Sequence, residues 1–207
     1  LSFEADEGTR RKKGAHRPYF ASVFTKKAAT AETPKRVHML VNPFAGKKKG
    51  RARASDAKEL LEQAGVEVMV AYSDYSGHLI SVASDLEVKR GDVIAVVGGD
   101  GTLSEVITGR LGRGPKEQET FAIIPTGTGN SQAHDLGITS VGIAVKAIIG
   151  SKRQGLDVAE VELVKGLPGS EDGTMTHYSH NLVTWGLGVD STIQAEKMRW
   201  MGPARYD

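Results

Sequence analysis

Three short glycine-bearing segments carry the residue types best suited to chemistry: Asn42-Pro43-Phe44-Ala45-Gly46, Gly98-Gly99-Asp100-Gly101-Thr102 and Pro125-Thr126-Gly127-Thr128-Gly129-Asn130. Glycine lets backbone N–H groups approach and wrap an anion, and a helix starting just beyond adds its positive dipole end. One such segment could equally be a tight turn; three, each behind an apolar run, point to a phosphate cradle. Asp100 stands between glycines, where packing alone explains a carboxylate poorly. It can accept a proton from an attacking hydroxyl or position Mg²⁺ through water. Glu105, five residues on, can reach the same edge and support a metal. Lys47-Lys48-Lys49-Gly50-Arg51-Ala52-Arg53 places five cations directly after the first segment, suited to phosphate, to a membrane face or simply to solvent. No G-x-x-x-x-G-K-[ST] occurs, which excludes a Walker-type site. Gly127-Thr128-Gly129 runs on to Gln132 rather than to a third glycine, so the dinucleotide fingerprint is incomplete.

Such segments need strands to hold them. Val37–Val41 is a buried apolar run ending at Asn42-Pro43. Ala54, Ala57, Leu60, Leu61 and Ala64 recur at helical spacing over 51–64, and Gly65 ends that helix. The alternation continues with a strand over Val66–Ala71, a helix over His78–Leu86 and a strand over Asp92–Val97. Leu103–Leu111 reads as helix, Phe121–Ile124 as strand and Val141–Ile149 as helix. Strands alternating with helices predict an α/β domain, a Rossmann-like three-layer arrangement on a mostly parallel sheet, over 36–154. In such sheets ligands bind beyond the carboxyl ends of the strands, which puts all three segments on one edge. After Gly155 the texture changes. Leu156–Val164 and Thr176–Trp185 read as two strands with only a polar loop between them, the start of an antiparallel domain over 155–207.

Composition narrows the partners. The chain is 39% hydrophobic and 25% charged, with a net charge of +2 and no cysteine. A disulfide framework is excluded, and a reducing compartment fits. No apolar run approaches the ~18 residues of a membrane span, and the polar, basic N-terminal stretch has no apolar h-region. Residues 1–35, with Arg10-Arg11-Lys12-Lys13, read as a disordered basic tail. Each cation near an anionic lipid surface is worth about 1 kcal/mol, so a cytoplasmic protein with peripheral membrane association is expected, with no nucleic-acid partner.

The set Asn42-Pro43 with Gly46, then Gly98–Thr102 with Glu105, then Pro125–Asn130, resembles the diacylglycerol kinase catalytic family. This family includes bacterial lipid kinases, sphingosine kinases and ceramide kinases. The resemblance runs from Arg36 to Asp207, and Trp185–Asp190 with Glu196–Tyr206 is similar to the sphingolipid branch. It implies an ATP-dependent kinase with an α/β nucleotide domain followed by an antiparallel β-sandwich lipid domain. By motif, Asn42, Pro43, Phe44, Ser73, Gly77, Gly98, Gly99, Gly101, Thr102, Glu105, Gly127, Thr128 and Gly129 would hold ATP with Mg²⁺. Arg199 and Arg205 would reach the phosphates as bidentate guanidiniums, Asp100 would be the catalytic base, and Asp190 would meet the lipid.

Asp190-Ser191-Thr192 replaces the Asp-x-Asp usual in sphingosine kinases, whose second carboxylate suits a substrate ammonium. The Gly-Thr-Gly-Asn retained at 127–130 is unusual for ceramide kinases. The resemblance therefore implies transfer of the γ-phosphate to the primary hydroxyl of a sphingolipid, sphingoid base or ceramide. Diacylglycerol or another lipid of the family is the alternative, and a non-catalytic nucleotide- or lipid-binding module is the alternative of another class. The Asn-Glu pair of NAD kinases, which share the GGDGT segment, does not occur. The family's second domain exceeds the stretch after Gly155, so a truncated chain, inactive as it stands, is expected.

Overall fold

Val, Ile and Leu fill the runs at 37–41, 93–97 and 121–124, and each becomes a strand buried along nearly its whole length. The computed structural model describes residues 19–21, 32–113, 119–127, 129–165, 173–181, 183 and 187–198. The order begins with β1 (Tyr19–Ala21), β2 (Arg36–Val41), a single irregular turn α1 (Ala45–Lys48), α2 (Gly50–Gln63), β3 (Glu67–Tyr72) and α3 (His78–Asp85). Next come β4 (Val93–Gly98), α4 (Asp100–Leu111), β5 (Thr120–Pro125), α5 (Ser131–Asp135) and α6 (Val141–Ile149). The order ends with β6 (Arg153–Gly155), β7 (Ala159–Lys165), β8 (Gly173–Ser179) and α7 (Leu187–Lys197).

Six strands form one sheet in the order β3-β2-β4-β5-β1-β6. The first five are mutually parallel, and β6 runs antiparallel on β1. From β2 the chain winds one way to β3, and from β4 the other way to β5. The reversal falls between β2 and β4, which is where an open α/β sheet makes its crevice. Helix α2 packs against α6, and α3 against α4, so helices cover the sheet and both strand faces can be apolar. Phe121, Leu40, Ile94 and Ile124 are at most 1% exposed, and burying each is worth roughly 1.5–3 kcal/mol. β7 and β8 pair antiparallel as a separate two-stranded sheet.

One buried charge stitches these layers together. Arg110 on α4 is 4% exposed and forms an ion pair with Glu119, using both Nε and Nη2. Its Nη1 donates to the carbonyls of Ala83 (2.8 Å) and Leu86 (2.6 Å) at the end of α3. Terminal helix carbonyls lack partners within the helix, so a cation there satisfies them and meets the negative dipole end.

The structure departs from the sequence reading in places. Tyr19–Ala21, inside the stretch read as an elementless tail, is a strand between β5 and β6; Arg10–Lys13 lies outside the described residues. Leu60 is 41% exposed and Ala64 is also exposed, so the buried stripe of α2 is Ala54, Ala57 and Leu61. Helix α4 begins at Asp100, not Leu103; its first turn carries glycine and threonine, and an apolar period is readable only from Leu103. The second strand of the hairpin is Gly173–Ser179, earlier than the Thr176–Trp185 expected. Helix α7 was not foreseen, because Gly188 and the β-branched Val189, Thr192 and Ile193 are weak helix formers. Among the described residues no helix is long and apolar enough to cross a membrane.

Candidate nucleotide site

Asn42, Gly99 and Gly127 follow β2, β4 and β5, and the parallel register brings them to one edge. Together with the loop after β3 they border a cleft of about 810 Å³ at the switch point, within the usual range for small-molecule sites. Asn42 fixes the first wall. Its Oδ1 accepts from the Phe44 amide at 3.0 Å and its Nδ2 donates to Thr102 Oγ1 at 3.3 Å, tying β2 to α4. Beyond Phe44 the backbone makes a left-handed turn at Gly46, Lys47 and Lys48, with φ of 58°, 58° and 65°. Glycine suits the first of these positions. A Cβ at Gly46 would collide with the carbonyl oxygen of Thr126, and the lysines at the next two carry strain.

The second and third walls touch. A Cβ on Gly127 would sit 2.6 Å from Gly99 Cα and 2.8 Å from Asn130 Oδ1. Backbone approaches backbone here as a phosphate cradle requires. Gly127→Ala should push these walls apart; overpacking of this kind costs roughly 1–3 kcal/mol, so nucleotide affinity should fall about ten- to hundredfold. Titration with a fluorescent ATP analogue measures it, and an unchanged affinity would remove Gly127 from the site.

Two carboxylates face this cleft, and both already hold backbone. Asp100 Oδ2 accepts from the Ser131 amide at 2.9 Å and Oδ1 from the Gln132 amide at 3.0 Å. Asp100 thereby caps the first turn of α5 from across the cleft. Glu105 Oε1 accepts from the Gly77 amide at 3.0 Å, which pins the loop after β3. The expectation for Glu105 was nucleotide or metal support; its contact here is to protein backbone.

Behind Asp100 lie two histidines, His177 in β8 and His180 just after it. His177 Nε2 is 2.9 Å from Ser104 Oγ and its Nδ1 is 3.4 Å from Thr108 Oγ1. His180 Nε2 is 3.3 Å from the Asp100 carbonyl oxygen and its Nδ1 is 3.3 Å from Gln132 Oε1. Burial lowers the pKa of His180, partly offset by the Asp100 carbonyl and carboxylate, while His177 lowers it further.

Of the residues singled out from sequence, Asn42, Phe44, Ser73, Gly99, Asp100, Gly101, Thr102, Glu105, Gly127 and Gly129 line the cleft. Pro43 and Gly98 are buried beside it, and Gly77 is the N-cap residue just before α3. Asp190 is exposed in the first turn of α7 and is not among the lining residues. Thr128, Arg199 and Arg205 lie outside the described residues. Tyr75 lines the mouth, is 65% exposed and stacks on His78 with ring centroids 4.7 Å apart. Of the cationic run, Lys47–Lys49 are exposed in the turn, whereas Arg51 lies over the Tyr72 ring at 4.3 Å. His177, His180, Gln132 and Ser131 were missed in the sequence, since nothing in it pairs β8 with α4.

The residues present fit a nucleoside triphosphate with Mg²⁺. The glycine walls leave backbone where side chains would intrude, and the buried Thr126 Oγ1 and Asn130 Oδ1 have no hydrogen-bond partner. Among the described residues no group of three or more His, Cys, Asp or Glu could cage a metal. Mg²⁺ needs no such cage, because it sits on one or two carboxylates with phosphate and water oxygens. Glu105, facing the cleft, would supply one.

A switch-point cleft walled by glycine segments defines a class: α/β domains built to cradle phosphates. Residues 36–161 match the diacylglycerol kinase catalytic domain, and the chain belongs to that family. It is 33% identical over 186 residues to sphingosine kinase 1 of Arabidopsis thaliana, covering 84% of this chain and 36% of the relative. It is 31% identical over 183 residues to the mitochondrial acylglycerol kinase of Mus musculus, covering 83% and 41%. A solved structure of a putative diacylglycerol kinase from Bacillus anthracis superposes with a TM-score of 0.51 at 26% identity, covering 63% of this chain and 45% of that one. The chain thus spans little more than a third of the length of the sphingosine kinase it matches.

Proposed function

We propose that this chain is the nucleotide-binding part of an ATP-dependent lipid kinase that phosphorylates the primary hydroxyl of a sphingolipid. The observation that carries the reading is Asp100: a carboxylate fixed by two backbone amides at the meeting point of the glycine walls. Bound Mg·ATP supplies the transferable phosphoryl group and neutralises its charge. Phosphoryl transfer asks the protein mainly for positioning and electrostatics. The glycine segments shape the cleft floor, and Asn42 and Glu105 lock two of its loops by hydrogen bonds. Two amides occupy two of the roughly four acceptor sites of the Asp100 carboxylate. The remaining sites accept the hydroxyl proton, and the two amides keep the carboxylate from swinging away. Arg199 and Arg205 are assigned to the phosphates and Asp190 to the lipid by motif, in a lipid domain that begins with β7 and β8. The enzyme approaches its substrate at a membrane surface.

The sphingolipid assignment rests on the similarity to sphingosine kinase and on Trp185–Asp190. Diacylglycerol, an acylglycerol, is the second reading, favoured by 31% identity to an acylglycerol kinase and by Thr192 standing where a second carboxylate would meet an ammonium. Full-length protein, radiolabelled ATP and parallel assays on sphingosine, ceramide and diacylglycerol decide between them. A sphingoid base or ceramide should be the preferred acceptor. Preference for diacylglycerol would overturn the lipid class, and no transfer to any lipid would favour a non-catalytic binding module.

A further inference from the structure

Asp100, Ser104 and Thr108 follow one another at four-residue intervals along α4, so they share one face of the helix. All three meet β8 or the residue just after it. Thr108 Oγ1 accepts from the Tyr178 amide at 3.3 Å and lies 3.4 Å from His177 Nδ1, and Ser104 Oγ lies 2.9 Å from His177 Nε2. At the cleft end of this seam, His180 meets the main chain of Asp100 itself. The second sheet is therefore seated on the helix whose first residue is the candidate base.

Proton bookkeeping defines the contact. A carbonyl oxygen only accepts, so His180 Nε2 carries the hydrogen and donates to Asp100. Burial disfavours the charged form of the ring. Nδ1 faces the Gln132 side-chain amide, 3.3 Å from its Oε1, so the two side chains are in contact. The Gln132 backbone amide meanwhile donates to Asp100 Oδ1 at 3.0 Å. The circuit closes through one residue: His180 holds the main chain of Asp100, Gln132 holds its carboxylate, and the two hold each other.

We infer that His180 is a positioning residue for Asp100, carrying the seat of the second sheet onto the carboxylate through the Asp100 carbonyl and Gln132. The inference rests on Asp100 being the base. His180 touches no reacting atom. Its effect is to keep the carboxylate and the first turn of α5 in one geometry, and a misplacement of about 1 Å at a reacting group can cost on the order of a hundredfold in rate.

The test uses full-length protein carrying His180→Ala or His180→Gln, each with and without Asp100→Asn. His180→Ala should lower kcat about ten- to hundredfold with the KM for ATP nearly unchanged. His180→Gln, whose amide NH₂ can reach the Asp100 carbonyl, should recover most of that loss. With Asp100→Asn already present, His180→Ala should cost nothing more, because residues acting as a unit are not additive. Additive losses, a change confined to KM, or a glutamine variant no better than alanine would each overturn the proposal. Hydrogen exchange separates its fate from that of the base assignment. His180→Ala should speed exchange of the Ser131 and Gln132 amides whatever Asp100 does in catalysis. If Asp100→Asn keeps near-normal turnover while that exchange still quickens, the base is lost and the clamp stands. If exchange is unchanged, the clamp falls.

Discussion

Replacing Asp100 with asparagine in the full-length enzyme should cut turnover roughly 10²–10⁴-fold, the range for loss of a positioned general base, and barely change ATP affinity. The substitution is chosen on structural grounds. Asn keeps one carbonyl oxygen able to accept from either Ser131 or Gln132, so α5 loses one of its two cross-cleft bonds and keeps the other. A single lost bond to a charged group costs about 1.5–3 kcal/mol, less than the roughly 5–15 kcal/mol that holds a typical domain together, so the variant should fold. Asp100→Ala would remove both caps and confuse lost chemistry with a displaced helix. Steady-state kinetics with varied ATP, paired with thermal denaturation, reads the two effects separately. Near-normal kcat in Asp100→Asn would end the assignment of Asp100 as base.

The largest effect on stability is expected at Arg110. Arg110→Ala leaves Glu119, whose side chain is 16% exposed, facing a void without its cation, and strips the Ala83 and Leu86 carbonyls of a donor. Removing one member of a buried pair costs roughly 3–5 kcal/mol, a large part of the 5–15 kcal/mol that holds a typical domain together. Arg110→Ala with Glu119→Gln should recover part of that loss, because the uncompensated charge is gone. Urea denaturation followed by circular dichroism checks both. A single variant within about 1 kcal/mol of wild type would show that water substitutes for the guanidinium.

Much of this architecture was legible because its causes are local. Apolar runs of strand length, each ending in Asn-Pro or glycines, imply a parallel sheet with loops on one edge, and β2, β4 and β5 lie where those runs fall. Asp100 and Glu105 were legible as cleft residues, since their distance along the chain from the strand ends fixes their place. Their partners were not. The Ser131 and Gln132 amides reach Asp100 from 31 and 32 residues away, and Gly77 reaches Glu105 from 28. No spacing rule connects such groups before the sheet order is known. His180 is harder still, separated from Asp100 by 80 residues and a change of sheet. Strand β1 was hidden for another reason. Three residues are too few to show a period, and its pairing is supplied by β5 and β6 on either side.

The cleft walls come from turns after three different parallel strands, and that has a consequence for how the protein reaches its working form. Pairing β2 with β4 joins Val37 to Val93, and pairing β4 with β5 joins Val93 to Thr120. Contacts so distant in the chain form slowly, because loops must close before they are rewarded. A growing chain that has left the ribosome only as far as β4 has Gly99 but lacks Gly127 opposite it. Nucleotide therefore has no complete seat on early intermediates. A nucleotide held as proposed would act only on the finished sheet, where binding would draw the folding equilibrium forward by mass action. On the proposed reading, ATP would stabilise the assembled domain and give no help to its nascent forms.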